Sequence, residues 1–123
     1  MKYQFGNIRE ANATDFHGWI VGHMAPGIAK TGAVEVKLWY YDNGLAYPKK
    51  KFLGTECIVI FGGQIAIDLE KDGQKSTVSL IGSHGDYLIL GPSITKHVKV
   101  IDAPAFGVTV RWPSEADINK VVP

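Results

Sequence analysis

Cysteine, net charge and long apolar runs are all scarce in this chain. One of its 123 residues is cysteine, Cys57. A lone thiol closes no internal bridge, so the sequence reads as a protein of a reducing compartment, expected in the cytoplasm. Cys57 lies in an apolar stretch and reads as a packed thiol rather than a nucleophile. The formal charge is +1, too small to hold nucleic acid or a membrane surface by bulk charge. No apolar run approaches the roughly 20 residues of a membrane span. Residues 1–10 lack the apolar centre of a secretory signal. No fixed-period repeat or low-complexity segment is visible. Beyond a short tail, no stretch keeps a helical period.

What is present is turn chemistry and short β-prone runs. Fourteen glycines and six prolines punctuate segments rich in β-branched and aromatic residues. Residues 2–5 read as a short edge strand, and residues 7–15 as a loop in which Asn12 or Thr14 caps one helical turn. Residues 17–24 read as a strand with His17, Trp19, Val21 and His23 on one face. Residues 33–41 alternate more clearly. There Glu35, Lys37, Trp39 and Tyr41 share one face. Asp42-Asn43-Gly44 and Asp72-Gly73 are tight-turn signals. The run Lys49-Lys50-Lys51 reads as a charged edge that discourages strand addition. Residues 56–61 are nearly continuously apolar, as for a strand buried on both faces. Gly62-Gly63 allows a bend, and residues 64–70 and 75–81 form a hairpin. Residues 87–90, 95–101 and 107–112 complete the strands. Pro113-Ser114-Glu115-Ala116-Asp117 reads as a short helical tail capped by Ser114. The pattern is an all-β sandwich or barrel in one domain, residues 1–123 with a core at 33–112.

Several motifs resemble the cupin superfamily. Glu56 with Gly63 resembles the end of the first cupin motif. Gly85-Asp86, Pro92 and His97 resemble the second in order and nearly in spacing. More narrowly, H-G-W-I-V-G-H, V-E-V-K, G-D-Y-L-I-L-G-P and V-T-V-R-W-P-S resemble small single-domain cupin-like proteins of unclear function. The resemblance implies a jelly-roll β-barrel, a double-stranded β-helix, and a homodimer or larger assembly. The chain departs from the pattern where the first motif opens with His-x-His. That register holds Lys49, Lys50, Lys51 and Phe52, and a protonated lysine repels a cation. Two usual ligand positions are left, Glu56 and His97, short of the three or four protein ligands a first-row metal takes. The expectation is no metal and no cofactor.

If Glu56 and His97 keep the family orientation, alternation sends Ile58, Ile60, Thr95, Lys99 and Ile101 inward with them. Val59, Phe61, Val98 and Val100 then form an outer face too apolar to leave wet, which reads as a contact with the N-terminal strands or a second subunit. The charged face of the 33–41 strand has two readings. One is an exposed sheet face. The other is a cavity wall built from His17, Trp19, His23, Glu35, Lys37, Trp39, Tyr41, Glu56, His97, Lys99 and Arg111. Cations opposite aromatic rings suit an anion with a flat or sugar-like part. The leading expectation is a metal-independent protein holding a small anionic metabolite, nucleotide-like or a sugar phosphate, for sequestering or sensing. The alternatives are a cupin enzyme, epimerase-like or dioxygenase-like, and a structural module with a filled barrel. A nucleic-acid polymer is not an expected partner, and neither is a membrane.

Overall fold

The computed structural model describes residues 1–43 and 47–123. Gly44, the last residue of the first tight-turn signal, lies outside the described residues. The strands run β1 (Trp19–Val21), β2 (Glu35–Tyr41), β3 (Lys50–Phe52), β4 (Thr55–Lys71), β5 (Gln74–Ile81), β6 (Tyr87–Leu90), β7 (Ile94–Trp112) and β8 (Asn119–Val121). They make one curled antiparallel sheet in which β1, β2, β7, β3 and β8 are successive neighbours and β4 pairs with β5, β6 and β7. One helix, α1 (Ile8–Asn12), precedes them, capped by Asn7, whose Oδ1 accepts from the Glu10 N–H at 2.9 Å.

Two long strands carry the architecture. β4 and β7 pair from Thr55↔Trp112 to Glu70↔Thr95, with register shifts between Ile60 and Ile65. The sequence separates each into two strands, whereas each is continuous through a bulge. The bulge flips the inward phase, because an extra residue moves every later side chain to the other face. In β4 the buried residues are Glu56, Ile58 and Ile60 before the bulge and Ile65 and Ile67 after it. Gly63 sits at φ +71°, and a Cβ there would lie 2.4 Å from the carbonyls of Asp102 and Pro104. The expected bend at Gly62-Gly63 is this bulge. The Asp72-Gly73 hairpin also forms: Lys71 pairs with Gln74, and both turn residues have positive φ, as a two-residue I′ turn needs.

The core gathers Trp39, Ile58, Ile60, Ile65, Ile67, Leu80, Val100 and Ala105. Across β2, β7 and β4 the inward residues form rows fixed by strand register. Glu35, Arg111 and Glu56 share one row. Lys37, Thr109 and Ile58 share the next, and Trp39, Gly107 and Ile60 the third. The inner surface therefore grades from charged to apolar along the strands. Gly107 makes room for the Trp39 indole. The opposite face of the same strands carries Cys57, Val59, Phe61, Tyr87, Ile89, Val108 and Val110, with Phe61 59%, Tyr87 67% and Ile89 56% exposed.

Several expectations fail here: Asn7 rather than Asn12 or Thr14 caps the helical turn, and Lys50 and Lys51 lie on a strand paired on both sides rather than on an edge. Residues 2–5 form no strand, and Tyr3 and Phe5 are exposed. The first good strand is only Trp19–Val21, because residues 14–18 turn, with the His17 N–H donating to the Thr14 carbonyl at 3.0 Å. The helical tail is absent: Ser114 is buried and bonded to distant residues, and the chain instead adds β8, which pairs with β3. The sheet thus extends past residue 112. Finally, Val98 and Val100 pack inward rather than on the outer face.

The Gly107→Ala variant is expected to lose at least about 2 kcal/mol of stability by overpacking, read as a lower midpoint in urea. Its Cβ would sit 2.0 Å from the Val59 carbonyl and 2.7 Å from Trp39 Cζ2. An unchanged midpoint contradicts the close approach of β4, β7 and Trp39.

Candidate functional site

A cavity of about 180 Å³ opens on the inner face of the curled sheet. Its lining includes Trp19, Lys37, Trp39, Tyr41, Tyr47, Lys50, Ile58, Lys96, Thr109, Arg111 and Asn119. The clear alternation of β2 puts Lys37, Trp39 and Tyr41 there, as the sequence implies. Tyr41 stacks between Trp39 at 5.2 Å and Tyr47 at 4.4 Å, giving one wall of rings.

The opposite end is ionic. Glu56, 1% exposed, is paired to Lys96, which reaches it from the other half of β7. Glu35, 3% exposed, has Oε2 at 3.1 Å from Arg111 Nε. The Arg111 guanidinium lies over two rings, 4.4 Å from the Trp19 centroid and 4.8 Å from that of Phe52. Arg111 is therefore fixed by a carboxylate and two aromatic faces. Glu35 also accepts from Ser114 Oγ at 2.9 Å. Ser114 Oγ in turn accepts from the His23 backbone N–H at 2.9 Å and lies 2.7 Å from His23 Nδ1. The Ser114 proton goes to Glu35, so Nδ1 of His23 supplies the hydrogen of its own contact. Serine sits between imidazole and carboxylate, the wrong order for a nucleophilic triad, in which histidine stands in the middle.

Four cations, Lys37, Lys50, Lys96 and Arg111, line the cavity. Two have carboxylate partners, Lys96 with Glu56 and Arg111 with Glu35. Lys37 and Lys50 have none among the described residues. Lys50 stands directly across from Lys96 in antiparallel register, a like-charge opposition that costs stability unless something negative lies between. Burial, then Lys50, Arg111 and Lys96, push the Lys37 amine down to about 8, against a smaller opposing pull from Glu56. Burial also pushes Tyr41 up to about 12, so its hydroxyl keeps its proton. Two buried donors find no hydrogen-bond acceptor among the described residues, Trp39 Nε1–H and Arg111 Nε–H, the latter close to Glu35 Oε2 without hydrogen-bond alignment. A buried donor without a partner costs about 1–3 kcal/mol.

Of the residues named from sequence, Trp19, Lys37, Trp39, Tyr41 and Arg111 line the cavity. Glu56 and Glu35 stand behind it, each paired to a lining cation. His23 is at the edge, joined to the cluster through Ser114. His17, His97 and Lys99 are not brought there. His17 is exposed, in the turn before β1. His97 and Lys99 occupy the opposite phase of β7. His97 lines an outer groove with Asp68, Thr77 and Thr95, and Lys99 pairs with Asp68 at 2.9 Å. Thr95 and Ile101 go outward with them. Lys50 and Lys96 were missed, yet alternation marks both: Lys50 shares a face with buried Phe52, and Lys96 with Val98 and Val100. Asn119 was missed with β8.

Comparison with solved structures identifies the architecture. The chain aligns with oxalate decarboxylase of Bacillus subtilis at TM-score 0.66 and 8% identity, over 74% of this chain and 24% of that one. It aligns with the DMSP lyase of Ruegeria pomeroyi at 0.64 and 14%, over 89% and 54%. It aligns with peruvianin-I, a cysteine peptidase from Thevetia peruviana latex, at 0.60 and 14%, over 73% and 56%. This chain has the cupin fold. No family model and no curated protein matches the sequence. The chain spans about a quarter of the decarboxylase and about half of the other two, so the likeness is one of fold alone.

The cupin fold raises the question of a metal ion, and the residues do not fit one. Glu56 is held by Lys96, and His97 points away from Glu56. The hollow between holds lysines and an arginine. No three His, Cys, Asp or Glu side chains gather among the described residues.

The depressed Lys37 amine makes stability depend on pH. Between pH 8 and the ordinary lysine value of 10.5 the unfolded chain holds a proton the folded chain has lost. Folding is therefore favoured progressively as pH rises through that window, by up to about 3 kcal/mol. Above pH 10 the raised Tyr41 hydroxyl acts the other way, because the folded chain then keeps a proton the unfolded chain loses. Urea midpoints are expected to rise from pH 8 to 10, and to rise less in Lys37→Met. An equal rise in the variant would contradict the burial of Lys37.

Proposed function

We propose that this cupin barrel is a binding protein for a small anionic metabolite and needs no metal to hold it. The observation that carries this reading is the surplus, among the described residues, of two cations, Lys37 and Lys50, beside a Trp39 N–H that finds no acceptor there. An anion placed among them relieves the opposition of Lys50 and Lys96 and gives the indole an acceptor. Tyr41, Tyr47 and Trp39 offer ring faces to the carbon skeleton. The volume lies below the roughly 300–1,000 Å³ of sites for drug-sized ligands. The guest is therefore compact, a phosphate or carboxylate on a short skeleton such as a sugar phosphate. A nucleotide-like signal enters by its phosphate end. Holding such a guest without turnover suits sequestering or sensing. A second reading, a cupin enzyme acting on the same anion, is favoured by the Lys37 amine, which titrates near working pH.

Thermal shifts at pH 7 across phosphate monoesters, dicarboxylates and oxo acids test the binding reading. A matching anion is expected to raise the melting temperature, and the gain survives chelator treatment. Lys50→Met is expected to weaken binding about 10- to 100-fold, the loss of one charge-assisted contact of about 1.5–3 kcal/mol. Shifts by no anion, or shifts indifferent to Lys50→Met, would sink the reading.

We infer that the outer face meets a second copy of this chain. Tyr87, Ile89 and Phe61 are each more than half exposed and lie in adjacent positions of β6 and β4. With Cys57, Val59, Val108 and Val110 they make a patch without charge, which suits a self-complementary two-fold contact. Sedimentation is expected to give a dimer at micromolar concentration, and a monomer for Phe61→Lys with Tyr87→Lys. A wild-type monomer at 100-fold higher concentration overturns this inference.

A further inference from the structure

Lys37 differs from the other amines of the cavity. Lys96 is neutralised by Glu56. Lys50 is on β3, beside the exposed Lys49. Lys37 projects from the middle row of the inner face, next to Thr109, between the charged row and the ring-lined row. Its contact is with a ring face, 5.7 Å from Nζ to the Trp19 centroid. Three positive charges act on it, and no carboxylate pairs with it among the described residues. An amine desolvated among cations gives up its proton early and keeps its nucleophilicity. At pH 7 about one Lys37 in ten is neutral, against fewer than one in a thousand for an ordinary exposed lysine.

The hollow around it also holds what a carbonyl partner needs. Lys50 and Arg111 offer cationic partners for a carboxylate, and Arg111 is already oriented by Glu35 and two rings. Trp39 Nε1–H, without an acceptor among the described residues, is a neutral donor for a carbonyl oxygen, and Tyr41 is a protonated hydroxyl in the same lining. The cavity admits a skeleton of a few carbons.

We propose that Lys37 Nζ is a nucleophile that forms an imine with a short oxo acid whose carboxylate is held by Lys50 and Arg111. This deepens the anion-binding reading and rests on it. The nitrogen lone pair attacks the carbonyl carbon, a C–N bond forms, and the carbonyl π pair passes to oxygen. That oxygen takes the proton the nitrogen gives up, producing a carbinolamine. A second proton on the hydroxyl lets it leave as water while the nitrogen lone pair closes the C=N bond. Starting from the ammonium form, lysine and oxo acid become a protonated imine and one water, with no oxidation or reduction. The positive charge stays in the hollow, so the carboxylate keeps its counter-ion.

The test uses the full chain with glyoxylate, pyruvate or acetoacetate, trapped by cyanoborohydride and mapped by peptide mass spectrometry. Labelling is expected at Lys37 at least about 10-fold faster than at the exposed Lys49 or Lys75, consistent with the larger neutral fraction. The Lys37 rate is expected to rise with pH and level off above about 8, while labelling of exposed lysines keeps rising. Inorganic phosphate is expected to slow labelling at Lys37 and not at Lys75. Lys37→Arg is expected to abolish the fast adduct. The mapping on the wild-type chain stands alone should that variant fail to fold. An oxo acid that raises the melting temperature without preferential labelling of Lys37 overturns the imine and leaves the binding reading intact. Labelling that follows exposure alone, with no melting shift from any anion, overturns both.

Discussion

The structure depends on a row of buried charge across three strands, Glu56 on β4, Arg111 on β7 and Glu35 on β2, extended by Lys96 and Ser114. Isolated, each of these groups would cost several kcal/mol to bury. Together their charges are balanced, and the arrangement specifies more than it stabilises. Arg111 has to face inward to pair with Glu35, which fixes the phase of the last half of β7. Lys96 has to face inward for Glu56, which fixes the phase of the first half. The two halves carry opposite parity, and the bulge between them reconciles the two demands.

The consequence is an interior in two parts. Beyond the bulge, Ile67, Leu80 and Val100 fill the space, and Ile65 borders the hollow. Before it, the ion pairs hold the walls apart and rings line what is left. A hollow of this kind is stable because its walls are fixed by pairing that does not involve the guest. The groups left over, Lys37, Lys50 and the Trp39 N–H, have no carboxylate or acceptor among the described residues.

Much of this was legible in the sequence, for an identifiable reason. β2 alternates without interruption, so its inward face, Glu35, Lys37, Trp39 and Tyr41, follows from period two. Asp72-Gly73 fixes its hairpin through φ alone. Ser114 was legible only as a helix cap, because its partners Glu35 and His23 lie 79 and 91 residues away. His17 was misplaced because a turn precedes β1 and alternation starts only at Trp19. The inversion of His97 and Lys99 has a different origin. The local pattern, Lys96, Val98 and Val100 against Thr95, His97, Lys99 and Ile101, supports either phase in isolation, since both contain apolar residues. Resemblance to a metal motif favoured the histidine phase. What decides the matter is Glu56: without a cation ligand it takes the nearest ammonium, and only one phase delivers Lys96.

That choice bears on the whole cavity. A carboxylate and a histidine converging on a cation would demand that neighbouring ammonium groups stay away. Here three lysines and an arginine surround the same space, and Lys50 and Lys96 stand opposite each other. Their mutual repulsion is opposed by Glu56 and leaves a net positive potential inside a low-dielectric wall, where charges act more strongly than in water. The same potential that excludes a divalent cation lowers the cost of an anion and adds to burial in stripping Lys37 of its proton early. Anion affinity thus arises from the excess of ammonium groups over carboxylates, whereas amine reactivity arises from burial first and that excess second, so a change that restores neutrality to the hollow removes the first and only part of the second.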